Sequence, residues 1–282
     1  MRKITSKDDL TLMIFNKLSS SSLSIKEQWS KPKGTKTRHA VIDNLLDSSI
    51  CQKIYTAFPL EPKSFNRLNS FRERKSTSAL LSDKNKIMSN LVYAFQDKKV
   101  FNLISNLVGF KKIFPDPNLY AGGLSVMYKG DFLNPHIDNS HDKDRINYRR
   151  LNLLFYVSPD WNIKNGGNFE LWNEGITKPK TIPSFFNRLI IMETNKQSWH
   201  SVSPVKVSTP RCCVSIYYFS KESPHSFKYF HVTSFVGRPN EKIKAVLSTV
   251  DNALRNTFSI LFRVGRGKSL INKKILRKNN RY

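Results

Sequence analysis

The chain has few cysteines and no long apolar run. Three cysteines in 282 residues, two of them adjacent at Cys212 and Cys213, do not form a disulfide framework. A reducing, cytoplasmic compartment is therefore expected. No stretch approaches the roughly 18 apolar residues that a membrane-spanning helix needs, and the apolar run from Leu10 to Phe15 is too short for a secretory signal. These absences argue against disulfide-stabilised and membrane-spanning folds.

Acidic residues are also scarce. The sequence has 21 Asp and Glu against 47 Lys and Arg, a formal net charge of +26. Residues 258–282 carry eight basic residues and no acidic one. This balance attracts polyanions, so the basic termini are candidates for binding nucleic acid or an anionic membrane surface. Most of the basic residues are lysine, and a bias in composition would produce the same balance without any partner.

The distribution of apolar residues divides the chain into four parts. Residues 1–38 are polar and basic and predict a flexible N-terminal arm. Residues 39–118 show helical periodicity that stops at Gly109, which predicts a helical support. Residues 119–222 contain a single series of short β-forming segments. Residues 223–282 form a basic C-terminal extension, so one large domain with appendages is expected.

A histidine and an aspartate stand two residues apart, at His136 and Asp138, directly after a predicted strand. Side chains at i and i+2 of a strand point to the same face, so both can reach one point. The triplet alone is a weak signal, because about 0.3 such triplets arise by chance in this composition. His200, near the start of a later strand, completes a set of two histidines and one carboxylate. Such a set leaves positions on iron(II) open for a co-substrate and O₂.

Arg211 begins a strongly β-forming run eleven residues after His200. An arginine inside a strand needs an anionic partner, because an unpaired guanidinium in an apolar interior is costly. The planar guanidinium binds carboxylates in bidentate fashion. A ligand carboxylate is therefore the expected partner of Arg211.

The region from about Tyr120 to Ser220 resembles the catalytic domain of the Fe(II)/2-oxoglutarate-dependent dioxygenases, specifically the prolyl 4-hydroxylase-like branch. The shared features are the Tyr128-x-Gly130 turn, His136-x-Asp138, the paired glycines Gly166 and Gly167, His200 followed by Pro204, and Arg211. The resemblance implies an α+β fold: a double-stranded β-helix, or jelly roll, with supporting N-terminal helices.

The same resemblance implies a role for each motif residue. His136, Asp138 and His200 would bind Fe(II), and Arg211 and Tyr128 would bind the distal carboxylate of 2-oxoglutarate. No further catalytic residue is expected. The implied reaction uses O₂ to hydroxylate an unactivated C–H bond and releases succinate and CO₂, with ascorbate as a candidate reductant. The implied class is an oxidoreductase of the hydroxylase type.

Several functions stay open at this point. The substrate class includes a small molecule, a sugar-containing precursor and a peptidyl side chain such as proline. The net charge favours a nucleic-acid oxidative demethylase of the same superfamily, but those relatives usually carry a second arginine six residues after the first, where this chain has Tyr217. A non-enzymatic alternative is a jelly-roll binding module whose basic tail binds a polyanion.

Overall fold

A computed structural model of the protein describes residues 5–79, 85–120, 122–173 and 175–262. Six α-helices lie in these ranges: Lys7–Ser20 (α1), Ser22–Ser30 (α2), Ser48–Thr56 (α3), Lys86–Phe95 (α4), Lys98–Val108 (α5) and Lys242–Phe262 (α6). Thirteen strands accompany them: His39–Asp43 (β1), Asn66–Asn69 (β2), Glu73–Ser78 (β3), Phe114–Pro115 (β4), Gly123–Met127 (β5), Phe132–Ile137 (β6), Tyr148–Tyr156 (β7), Phe169–Leu171 (β8), Lys180–Ile182 (β9), Arg188–Glu193 (β10), His200–Val202 (β11), Arg211–Ser220 (β12) and Ser234–Phe235 (β13).

The thirteen strands form one curled antiparallel sheet. Its order is β1-β10-β7-β12-β5-β3-β6-β11-β8-β9, with β13 paired to β6, β2 to β3 and β4 to β12. Strand β3 pairs with β5 through Ser76–Ser78 and with β6 through Glu73 and Arg74, so it joins the two halves of the sheet. The predicted α+β jelly roll with supporting helices is confirmed.

Alternation along the strands separates two apolar cores. On β12, Cys212, Val214, Ile216 and Tyr218 point outward and join a core shared with the helices. Cys213 points inward and packs with Tyr156 and Phe169 inside the curl of the sheet. Because successive side chains of a strand point to opposite faces, the same strand contributes to the helix-packed core and to the interior.

Helices α1 to α5 cover the outer face of the sheet, as the helical periodicity predicts for the segment before Gly109. Leu91, Val92 and Phe95 of α4 are fully buried in the outer core. The apolar stretch that ends at Gly109 forms two helices, α4 and α5, because the Asp97 side chain accepts a hydrogen bond from the backbone N–H of Lys99 and starts a new helix. Gly109 ends α5 with φ 70°, a left-handed conformation that glycine adopts without strain.

The expected flexible arm over residues 1–38 is wrong. Helices α1 and α2 occupy most of it, and Ser6 and Asp9 form a reciprocal capping box at the start of α1. Leu10, Ile14 and Leu18 recur at i, i+4 and i+8, so they form one buried face against the outer core. The prediction rested on the polar composition of this segment and did not use the helical spacing of its apolar residues.

The other predicted boundaries also need correction. Residues 39–118 are not purely helical support, because β1, β2 and β3 lie there and two of them, β1 and β3, extend the main sheet. Strand β12 ends at Ser220, near the predicted end of the barrel. However, the extension after residue 222 contributes β13 to the sheet and continues into α6. The basic residues from 263 onward lie outside the described residues.

The described residues can be compared with the expectations about cysteines and membrane-spanning helices. Cys51, Cys212 and Cys213 are buried and free, and burial raises the pKa of the Cys51 thiol to about 12. None of the helices in the described part of the chain is both long and apolar enough to cross a membrane.

Candidate active site

His136, Asp138 and His200 meet at one point inside the curl of the sheet. The antiparallel register of β6 and β11 sets His136 directly opposite His200, and their rings lie 4.1 Å apart. Asp138 follows β6 and reaches both histidines: its carboxylate oxygens lie 3.6 Å from Nε2 of His136 and 3.5 Å from Nε2 of His200. One ligand atom from each residue lies within 4.8 Å of the others. This is the spacing of three ligands around one metal ion.

Both histidines are held in the same tautomer. Nδ1 of His136 donates to the backbone carbonyl of Asn134, and Nδ1 of His200 donates to that of Ser198, each over 2.9 Å. A carbonyl oxygen only accepts hydrogen bonds, so the proton sits on Nδ1 and the Nε2 lone pair faces the centre. Phe235 of β13 stacks on His136 at 5.0 Å and fixes its plane. The histidines are thus preorganised as neutral nitrogen donors.

Two side chains that the sequence analysis did not single out hold Asp138. The amide of Asn152 donates to Asp138 Oδ2 over 2.6 Å, and Nη1 of Arg149 lies 3.2 Å from the same oxygen. Arg149 is itself 2% exposed and lies over the Tyr217 ring at 4.0 Å. A signal for Asn152 was available, because it is a polar residue between Leu151 and Leu153 and shares the inward face with Leu154 and Tyr156.

The charges match a cation site. Burial lowers the pKa of His136 to about 3, and burial also lowers the pKa of His200. Burial by itself would raise the pKa of Asp138, but Arg149 and the two histidines outweigh it and hold that pKa below its usual range. At neutral pH the site therefore consists of two neutral imidazoles and one carboxylate, the protonation state that binds a metal.

Arg211 lies on the same interior surface and is 4% exposed. Its Nε donates to Ser184 Oγ over 3.2 Å, and its Nη1 lies 3.4 Å from the sulfur of Met127. Among the described residues it forms no salt bridge, so this buried cation lacks the anionic partner that would offset the cost of its burial. Glycine at residue 167 allows the Arg211 side chain to pack closely against the backbone, since a Cβ at that residue would come within 2.6 Å of Arg211 Cδ.

Tyr156 is the tyrosine beside Arg211. The guanidinium lies 4.7 Å from the centre of its ring, and burial raises the pKa of its hydroxyl. That hydroxyl makes no hydrogen bond of normal geometry to a described residue. Phe169 shares a core with Tyr156 and lies 5.7 Å from the His200 ring. Contacts therefore run continuously from the histidines to Arg211.

Tyr128 is not brought to this position. Its hydroxyl donates to the backbone carbonyl of Leu60 over 3.2 Å, and its ring packs on the outer core. The alternation along β5 explains the difference: Leu124 and Val126 face the helices, and Tyr128 continues that face, whereas Met127 points inward to Arg211. The expectation that Tyr128 lies beside Arg211 is therefore wrong, and the structure places Tyr156 there instead.

A cavity of about 1050 Å³ opens beside His136 and Asp138. Strands β2 and β3 contribute Leu68 and Lys75 to its wall, and the segment after Asp138 contributes His141 and Arg149. Helix α6 contributes Leu254 and Phe258, and further residues come from the segment before β2 and from the segment around β13. The site thus combines three residues that could hold a metal ion, a buried cation and a large cavity.

The amino-acid sequence matches a known family over this region. Residues 122–219 match the model of the 2OG-Fe(II) oxygenase superfamily, and His136, Asp138, His200 and Arg211 all fall inside the match. Over this part of the chain the sequence is therefore similar to the 2OG-Fe(II) oxygenases.

Solved structures share the fold at low identity. A prolyl 4-hydroxylase from Phytophthora capsici has a TM-score of 0.55 at 14% identity, over 88% of this chain and 77% of that chain. A prolyl-4-hydroxylase from Pseudomonas putida has a TM-score of 0.53 at 11% identity, over 71% of this chain and 98% of that chain. The fold is therefore prolyl hydroxylase-like.

Proposed function

We propose that the protein is an Fe(II)- and 2-oxoglutarate-dependent dioxygenase that hydroxylates an unactivated C–H bond and releases succinate and CO₂. The observation that carries the proposal is the convergence of His136, Asp138 and His200 beside a buried cation, Arg211, that has no anionic partner among the described residues. The two parts match the two requirements of this chemistry: a metal with open positions, and a binding group for a dicarboxylate.

The triad is proposed to hold the iron. Nε2 of His136, Nε2 of His200 and one carboxylate oxygen of Asp138 supply three donors, and Asn152 and Arg149 keep the carboxylate aimed at the centre. Bound iron, with 2-oxoglutarate and O₂, supplies the oxidising power for C–H hydroxylation. The residues around it hold the donors in place and keep the imidazoles neutral.

Arg211 is proposed to bind the distal carboxylate of 2-oxoglutarate. Its guanidinium has a hydroxyl, a thioether and an aromatic ring around it, so an incoming carboxylate would be its first anionic partner among the described residues. The hydroxyls of Ser184 and Tyr156 lie beside it as further donors. The low exposure of this group strengthens its attraction for an anion, because water screens the charges less.

The substrate is proposed to enter the cavity beside the triad and to be a small molecule or a peptidyl side chain, proline included. A volume of about 1050 Å³ is at the upper end of the range for small-molecule sites. The demethylase alternative has less support, because Tyr217 fills the position of the second arginine and packs on Arg149. A cytoplasmic location and a need for ascorbate stay predictions.

The test is an assay of succinate formation from 2-oxoglutarate. The purified full-length chain is supplied with Fe(II), O₂ and ascorbate, and parallel samples omit iron, O₂ or ascorbate in turn. We expect slow, iron- and O₂-dependent succinate formation, absent from the His200→Ala protein. A non-enzymatic binding module would form no succinate under any condition. Mass spectrometry of metabolites and proteins with and without active enzyme then identifies a substrate by the gain of one oxygen.

A further inference from the structure

Helix α6 is attached to the sheet by its polar side. Ser248 and Ser259 are buried, and Asp251, Asn252, Arg255 and Asn256 between them are half-buried. These positions recur at helical spacing and define one face. The inward face of α6 is therefore polar, which reverses the usual arrangement of a helix on a globular core.

The polar side chains of this face form hydrogen bonds and an ion pair with the rest of the protein. Asp251 accepts from Arg72 at 2.6 Å, and Asn252 bonds both the backbone N–H and the carbonyl of Phe235, at 3.0 and 2.6 Å. Asn256 accepts from the N–H of Val232 at 3.0 Å. Further along, Arg145 donates to the carbonyl of Ser259 at 2.9 Å. The polar side chains named here thus already have partners within the protein.

The opposite face of α6 is apolar and exposed. Leu247 is 53% exposed and Leu261 is 70% exposed, and the Phe258 and Phe262 rings lie 4.4 Å apart on the surface. The full set of large exposed apolar side chains on this helix is Ile243, Val246, Leu247, Val250, Leu254, Phe258, Ile260, Leu261 and Phe262. A contiguous apolar surface of this kind marks an interaction site.

The charge of the chain decides between the partners that an apolar helix face attracts. The sequence after α6, residues 263–282, holds eight Lys and Arg and no Asp or Glu. Two copies of this chain, each with a net charge of +26, repel one another when these segments approach. Nucleic acid matches the positive charge but offers no apolar surface to the helix. An anionic lipid membrane offers both, because its headgroups carry negative charge and its acyl boundary accepts apolar side chains.

We propose that the apolar face of α6 and the basic segment 263–282 bind the surface of an anionic lipid membrane, with the helix lying in the plane of the interface. The proposal does not depend on the oxygenase activity. It has one consequence for the site, since Leu254 and Phe258 belong to the exposed face and also line the cavity beside His136. A protein bound in this way presents the cavity to the membrane surface.

Co-sedimentation of the full-length protein with vesicles tests the proposal. The vesicles are phosphatidylcholine with and without phosphatidylserine, each at low and high salt. We expect binding to the phosphatidylserine vesicles that weakens as salt rises, and much weaker binding to phosphatidylcholine alone. No binding to phosphatidylserine vesicles, or equal binding to both kinds, would overturn the proposal.

A triple variant, Leu247→Gln, Val250→Gln and Leu261→Gln, isolates the apolar contribution, because glutamine keeps the charge and favours helix. We expect vesicle affinity to fall about tenfold or more. The matched control is Leu12→Gln with Leu23→Gln, which removes two exposed leucines from α1 and α2 and should bind like the original chain. Circular dichroism checks that both variants keep their helix content. Unchanged affinity in the triple variant would remove α6 from the interface.

Two further measurements test the electrostatic part of the proposal and whether a second copy of the chain covers the apolar face of α6. A chain that ends at residue 262 should lose most of its preference for phosphatidylserine; full retention of that preference would contradict the electrostatic part. Sedimentation velocity without lipid should give the same mass for the original chain and the triple variant. A dimer of the original chain that the triple variant loses would show that a second copy covers the face, and would overturn the proposal.

Discussion

The side-chain amide of Asn152 donates a 2.6 Å hydrogen bond to Oδ2 of Asp138, from the centre of β7 to the carboxylate between two histidines. Nη1 of Arg149, which precedes Asn152 on the same strand, lies 3.2 Å from that oxygen. One strand therefore aims the only carboxylate of the triad. Mutation of a residue that orients a metal ligand typically lowers metal affinity or activity by about 10- to 100-fold.

Replacing Asn152 tests this relationship. In Asn152→Leu the carboxylate loses its hydrogen bond at similar side-chain volume, and we expect metal affinity to fall by about 10-fold or more. The measurement is a titration of the metal-free protein with Fe(II) without O₂, or with Co(II), followed by absorption. The KM for 2-oxoglutarate at saturating iron should change little. Unaltered metal affinity would show that Arg149 alone suffices to orient Asp138.

Removal of a proposed ligand should abolish turnover and leave a folded barrel. His136→Ala, Asp138→Ala and His200→Ala each delete one of three protein donors, so succinate formation should fall to background. Full activity in His200→Ala would refute the assignment. In Asp138→Ala, water or chloride can fill the vacated position, so the decisive measurement there is turnover and not metal content. His39→Ala is the control, because His39 lies at the edge of the sheet on β1, outside the triad.

Arg211, Tyr156 and Tyr128 form a graded series for 2-oxoglutarate binding. Arg211→Ala should raise KM strongly, since loss of a charge-assisted pair costs on the order of 2–5 kcal/mol. Arg211→Lys should be milder, because lysine keeps the positive charge although it lacks the bidentate guanidinium fork. Tyr156→Phe removes one donor and should cost about 0.5–1.5 kcal/mol. Tyr128→Phe is the control and should leave KM unchanged, because its hydroxyl bonds Leu60. A larger effect at Tyr128 than at Tyr156 would reverse the correction made from the structure.

His231 should make stability depend on pH. Burial lowers the pKa of His231 from 6.5 to about 4. Between these two values the unfolded chain binds a proton at this position and the folded protein does not. The free energy of unfolding therefore falls as the pH falls through that interval, by at most about 1.4 kcal/mol per pH unit for this group. Urea unfolding at several pH values should give a shallower slope for His231→Gln than for the original chain; equal slopes would contradict the expectation.

The chemistry-bearing motifs were predictable from the sequence because each depends on local geometry. The i, i+2 spacing of His136 and Asp138 specifies a shared face once the segment is a strand, and Arg211 at the start of a β-forming run had to be buried. The paired glycines Gly166 and Gly167 likewise mark the turn before β8, because glycine adopts positive φ without strain. Strand alternation and backbone conformation are encoded within a few residues.

The remaining parts depend on contacts between distant segments. Tyr128 follows β5 and Tyr156 ends β7, and the registers of both strands against β12 decide which tyrosine faces Arg211. Phe235 stacks on His136 from a segment about a hundred residues later. Helix α6 was not predicted, although its apolar residues recur at helical spacing. Periodicity identifies such a helix face but cannot say which side is covered.

The position of β1 bears on how the protein is synthesised. Asp43 at the end of β1 pairs with Arg188 at the start of β10, a separation of 145 residues along the chain. At typical rates of translation, about 5–20 residues per second, the first strand emerges many seconds before its partner exists. Such distant pairings also slow folding. The nascent chain therefore holds an unpaired strand until the barrel is nearly complete, and its yield in cells should depend on chaperones.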